Sequence, residues 1–155
     1  MSNSFLKSPL PINEPVKSYG PNTPERAAVT AAYDAFFSKQ IHIPMKIGGE
    51  EVSSSETNTM HPPHDHKHLL GYFSMGDENH VQKAIDCALN ARSAWANLPW
   101  ESRATIFLKA ADLLAGPYRD EMNAATMLCQ SKNVFQAEID ASCELIDFLR
   151  FNVAY

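Results

Sequence analysis

Gln136-Ala137-Glu138-Ile139-Asp140 and, four residues on, Glu144-Leu145-Ile146-Asp147-Phe148-Leu149-Arg150-Phe151-Asn152 form the stretch on which the reading of this chain turns. The apolar spacing predicts a helix from near Val134 to Tyr155, with no capping signal at either end. At about 100° per residue, with Gln136 at zero, Asp140 falls near 40°, Glu144 near 80° and Asp147 near 20°, which makes one polar stripe. Glu138 falls near 200°, among Val134, Ala141, Leu145 and Leu149. A carboxylate on that apolar arc needs a partner or a raised pKa, so it reads as a cap, a buried ion pair or a site residue.

The segments before it repeat the helical pattern. Asp77 is placed to cap a helix with Val81, Ala84, Ile85, Ala88, Ala91 and Trp95 on one face, ending before Pro99. A second runs from about Glu101 to Ala115 and stops at Gly116-Pro117. A third runs from about Tyr118 to Leu128.

Eight of the ten prolines fall within the first 63 residues, which makes that half extended and turn-rich. Thr23-Pro24-Glu25 reads as a helix start, with a short helix to about Lys39. Ile41, Ile43, Met45 and Ile47 alternate with polar residues and Pro44, the pattern of one half-buried strand. Gly48-Gly49 reads as a hairpin turn into 50–53. The stretch 53–59 reads as a polar connection, and Leu69 to Ser74 as a second strand. One compact unit is the simplest expectation.

The chain has 155 residues, 18 acidic and 13 basic, with a formal charge of -5. A basic phosphate-binding surface is not expected, which excludes nucleic acid as a partner. No apolar run is long enough to span a membrane and residues 1–10 do not resemble a secretory signal, so the expected location is cytoplasmic. A chain of this length has room for its own core.

Cys87, Cys129 and Cys143 are an odd set at wide spacings, read as reduced thiols. Cys87 and Cys143 are expected in the core and Cys129 nearer a helix end. A small hydrolase using Cys129 with a histidine is a weaker reading. His61, His64, His66 and His68 are ligand types for zinc, copper or nickel. Pro62, Pro63 and Lys67 interrupt them, so a solvated turn is preferred and no metal is assigned. The six glycines form neither G-x-G-x-x-G nor a P-loop, so no cofactor-binding residue is assigned.

Trp95, Arg103 with Ile106 to Leu114, and the two quoted segments together resemble the N-terminal helices of the aldehyde dehydrogenase superfamily. Asn13-Glu14-Pro15, Pro24-Glu25-Arg26, Ile47 to Val52 and Pro62 to His68 resemble the start of its branch acting on glutamate semialdehyde. The resemblance implies an α/β fold, of which this chain supplies the N-terminal, mainly helical segment with a β-hairpin and edge strand. It divides the chain into an arm and first helix (1–40), a hairpin and strand segment (41–75), and the helical part of an incomplete NAD-binding domain (76–155). The implied activity is NAD-dependent oxidation of glutamate semialdehyde, or 1-pyrroline-5-carboxylate, to glutamate in proline catabolism, by a homo-oligomer acting on a small aldehyde.

The family's nucleophilic cysteine, general-base glutamate and catalytic asparagine lie downstream of the matched region, so no catalytic residue is expected in this chain and it is expected to be inactive alone. The end at Tyr155, inside a helix, is read as truncation. The family places a substrate-facing glutamate six residues before the helix's arginine, which assigns that position to Glu144 with Arg150 as anchor; Glu138 is a second candidate from the wheel alone. The alternative is a non-catalytic helical binding or scaffold module.

Overall fold

A computed structural model describes residues 7–155. After an irregular arm, α1 (Pro24–Phe37) starts where Thr23 Oγ1 accepts from the Arg26 N–H. It ends two residues before Lys39, where the Ser38 hydroxyl donates to the Asp34 carbonyl at 2.7 Å.

The alternating run after it is two strands rather than one. β1 (Ile41–Ile43) pairs in parallel with β5 (Gly71–Ser74), whereas β2 (Met45–Ile47) pairs antiparallel with β3 (Glu50–Val52) in a separate hairpin. Pro44 lies at the break, where it has no N–H to donate. The hairpin turn uses Gly48 and Gly49 at φ 63° and 84°, the left-handed pair that a two-residue turn requires. Gly71 has φ 150°, and a Cβ there would lie 1.9 Å from the Ile41 carbonyl oxygen, so the approach of β1 to β5 requires glycine.

The polar connection contains a strand that the sequence pattern does not announce. β4 (Thr57–Met60) pairs antiparallel with β5, giving the order β1-β5-β4. Its residues are mostly exposed on a sheet edge, so it shows no apolar alternation.

Four helical stretches complete the chain. α2 (Glu78–Asn97) begins at Asp77, whose Oδ1 accepts from the His80 N–H at 2.9 Å. α3 (Trp100–Ala115) ends at Gly116, and α4 (Arg119–Gln130) ends at Ser131 in the left-handed conformation. The last stretch differs from the single uncapped helix expected. Asn133 and Gln136 form a reciprocal capping box for α5 (Val134–Ala137). A π-helical segment (Glu138–Cys143) then leads into α6 (Glu144–Ala154).

α1 packs on α4, and α3 packs on α6. Val29, Ala124, Leu128, Ala137 and Ile146 are buried in this helical core. α2 has no buried residue and contacts β2, with Trp95 edge-on to Phe107 of α3. Val81, Ile85, Leu89, Ile106 and Phe148 are exposed, so the core covers only part of the apolar faces that the sequence provides.

Candidate functional site

Residues Glu14 to Tyr19 of the arm have no regular secondary structure, yet side chains of the later helices hold them at several points. Arg119, at the start of α4, has 2% of its side chain exposed and Glu138, at the start of the π-helical segment, none. Arg119 pairs with Glu138 through Nη2 and Nε and with Glu14 through Nη1, and its Nη2 also donates to the Pro15 carbonyl at 2.7 Å. Glu14 in turn accepts from Arg150 Nη1 at 2.7 Å. The result is an alternating row, Arg150, Glu14, Arg119, Glu138, that ties the arm to α4 and α6.

Glu138 also accepts from the Lys17 N–H, the Tyr19 hydroxyl and Asn123 Nδ2, each at 2.8 Å. Asn123 Oδ1 accepts from the Ser142 hydroxyl at 2.7 Å. Every buried polar group in this knot has a partner, the condition under which burying charge is tolerable. Burial pushes the Glu138 carboxyl up, but the bonds from Arg119, Lys17, Asn123 and Tyr19 outweigh it and hold the group down at about 2. Burial and the neighbouring Glu138 raise the Tyr19 phenol well above its usual range. Burial, then Glu138, pushes the Cys143 thiol up to about 11, which leaves it protonated and unsuited to nucleophilic work at neutral pH.

Beside the knot lies an open groove of about 600 Å³ between the arm and the last helix. Asn13, Glu14 and Val16 form one side; Glu144, Asp147 and the aromatic rings of Phe148 and Phe151 form the other. Asp147 does not project freely: its oxygens accept from Asn13 Nδ2 and the Glu14 N–H, both at 2.7 Å. Such a trough suits a short aliphatic chain carrying a cationic end.

The predicted residues thus separate. Glu144 is exposed on the groove wall. Glu138 is fully buried and saturated, which corrects its assignment as a substrate ligand. Of the expected stripe, Glu144 and Asp147 line the groove together, Asp147 also fastening the arm, whereas Asp140 pairs with Lys132 at 2.7 Å outside it. The π-helical segment shifts the angular register past Cys143, so a constant 100° step misplaces the residues of α6.

Arg119, Asn123 and Tyr19 were not found by sequence reasoning. The available signal was the need of Glu138 for a cation, with Arg119, Asn123 and Thr126 on one face of α4 at helical spacing.

The histidines do not converge. His61 Nδ1 bonds the His68 carbonyl, His64 Nδ1 the Ser131 hydroxyl and His68 Nε2 the Phe37 carbonyl, each at 2.7 Å. They pin the 61–68 turn against α1 and the end of α4, and among the described residues no group of three or more ligand types gathers. His64 faces Ser131 rather than Cys129, whose thiol burial pushes up, so the hydrolase reading loses its base. Among the described residues no helix is long and apolar enough to cross a membrane.

The model for "Aldehyde dehydrogenase family" matches residues 51–155. The chain belongs to the aldehyde dehydrogenase family. This aldehyde dehydrogenase chain is 47% identical over 151 residues to the delta-1-pyrroline-5-carboxylate dehydrogenase of Agaricus bisporus, covering 97% of this chain and 28% of that protein. It is 46% identical over 143 residues to the mitochondrial human enzyme of the same name, covering 92% of this chain and 25% of that one. The structure of the Delta-pyrroline-5-carboxylate dehydrogenase from Mycobacterium tuberculosis bound with NAD superposes at a TM-score of 0.96 and 45% identity, over 99% of this chain and 29% of that one.

The chain therefore has the α/β fold of the family in its mainly helical segment, and spans little more than a quarter of these relatives. Its own glycines do not make a dinucleotide cradle. Gly48 and Gly49 turn a hairpin, Gly71 lies in a strand and Gly116 ends a helix, so these glycines serve the chain's own turns and strand pairing.

Proposed function

We propose that this chain is the N-terminal part of an NAD-dependent aldehyde dehydrogenase that oxidises glutamate semialdehyde, the open form of 1-pyrroline-5-carboxylate, to glutamate in proline catabolism. The observation that carries the reading is the 47% identity over nearly the whole chain to an enzyme of that name. In this reading residues 1–40, 41–75 and 76–155 are the arm with its helix, the hairpin and strand segment, and the helical part of an NAD-binding domain. The groove supplies one wall of the aldehyde site. Glu144 faces the substrate's ammonium group, and Phe148 and Phe151 line its aliphatic chain. The chemistry belongs to residues outside this chain, which supplies binding and orientation.

The enzyme containing this chain should reduce NAD with glutamate semialdehyde, and the 155-residue chain alone should not. Turnover by the chain alone, or none by the enzyme, would overturn the proposal. A homo-oligomer and a cytoplasmic location belong to the same reading. Solution mass tests the first and localisation of the tagged protein the second, with a mitochondrial location replacing it.

A further inference from the structure

Three carboxylates line the groove, and they are not equivalent. Glu14 is held between Arg119 and Arg150. Asp147 receives Asn13 Nδ2 and the Glu14 N–H. Glu144 alone has neither a hydrogen bond nor an ion pair from its side chain among the described residues. Glu144 and Asp147 are three apart on α6, which sets their side chains about one helical turn apart on neighbouring positions, with roughly 5–6 Å between Cβ atoms.

We propose that Asn13 is a specificity-determining residue: its amide engages Asp147 Oδ2, so Glu144 is the groove carboxylate that a bound ammonium group meets without competing with an existing bond, and this sets one register in the groove. The inference rests on the aldehyde dehydrogenase reading. Without the Asn13 amide, Asp147 offers a second carboxylate oxygen one turn towards the end of α6. A substrate held there has its aldehyde displaced by several ångströms, enough to lose the reacting geometry. The arm itself stays in place in that variant, because Glu14, Pro15, Lys17 and Tyr19 keep their bonds to Arg119, Arg150 and Glu138.

Binding in a second, unproductive register lowers kcat and KM together and leaves kcat/KM nearly unchanged. In the enzyme containing this chain, Asn13→Ala should lower both constants for glutamate semialdehyde by about twofold or more, twofold being the value for two acceptors of equal strength. Pentanal, which has no ammonium group, should keep both constants. Adding Asp147→Asn to Asn13→Ala should restore them for glutamate semialdehyde. A loss of kcat/KM shared by both aldehydes, as a merely structural defect would give, overturns the proposal.

Calorimetric titration with n-butylammonium reads the same acceptor without catalysis. Binding should tighten about twofold in Asn13→Ala and return in the double variant; unchanged affinity overturns the proposal. Tighter n-butylammonium binding in an enzyme that oxidises no aldehyde would support the Asn13 role while refuting the substrate.

Discussion

The knot around Arg119 and the helix α2 invert the usual distribution of residues. In the knot, the charged side chains of Arg119 and Glu138 are buried and partnered; on α2, Val81, Ile85 and Leu89 are 58%, 46% and 59% exposed. The difference separates two kinds of completeness. The knot is finished by residues within this chain, since the arm brings Glu14, Tyr19 and the Lys17 amide to Arg119 and Glu138 over more than a hundred residues of sequence. The apolar stripe of α2 has no such partner among the described residues, although it has the pattern of a helix built to pack.

The largest expected effect tests that contrast directly. Glu138→Ala leaves the Arg119 guanidinium buried without its principal anion and should cost about 3–5 kcal/mol in urea denaturation. Leu89→Ala on α2 should stay within about 0.5 kcal/mol. Comparable losses at the two sites would erase the distinction.

Acid should act on the knot in the same sense. The Glu138 carboxyl lies at about 2 in the folded chain against 4.5 as its ordinary value, so the folded state favours the carboxylate. That contribution is complete above pH 4.5 and is lost as the pH falls from there towards 2. Amide exchange at Lys17, whose N–H donates to Glu138, should lose protection across this window ahead of amides in the middle of α2. Uniform loss would show that the arm is held by something else.

Smaller effects belong to α2. Asp77→Ala removes its cap and should cost about 1 kcal/mol, read as fraying of the first turn by circular dichroism or amide exchange. Replacing both Val81 and Leu89 by serine should change stability least and reduce self-association of the 155-residue chain in sedimentation, because it removes exposed apolar area. Self-association unchanged by that pair would place the sticky surface elsewhere.

The regular helices were legible because their signals are local: Thr23 and Asp77 cap, Gly116 stops, and apolar residues recur at helical spacing. Three features were not. Pro44 divides an alternating run between two sheets, and strand partners depend on residues such as Gly71 that lie far along the chain. β4 is polar because it is an exposed edge, so it shows no apolar alternation. The π-helical segment changes the turn angle inside a continuous helix, so a constant step misplaces Asp140, within it, relative to Glu144 and Asp147, which follow it and share the groove wall. The wheel still located Glu138 on an apolar arc and its need for a partner; it could not supply Arg119, which a different helix provides. Glu144 was found through family resemblance, and its place on the groove wall is a matter of geometry.

The most direct test of the account is the selectivity of Glu144→Gln in the enzyme containing this chain, measured as kcat/KM for glutamate semialdehyde relative to pentanal. The substitution keeps the side chain's size and removes the charge. Loss of one charge-assisted contact should lower the ratio by about tenfold or more, with pentanal turnover nearly unchanged. Equal losses for the two aldehydes would contradict the assignment of Glu144 to the ammonium group.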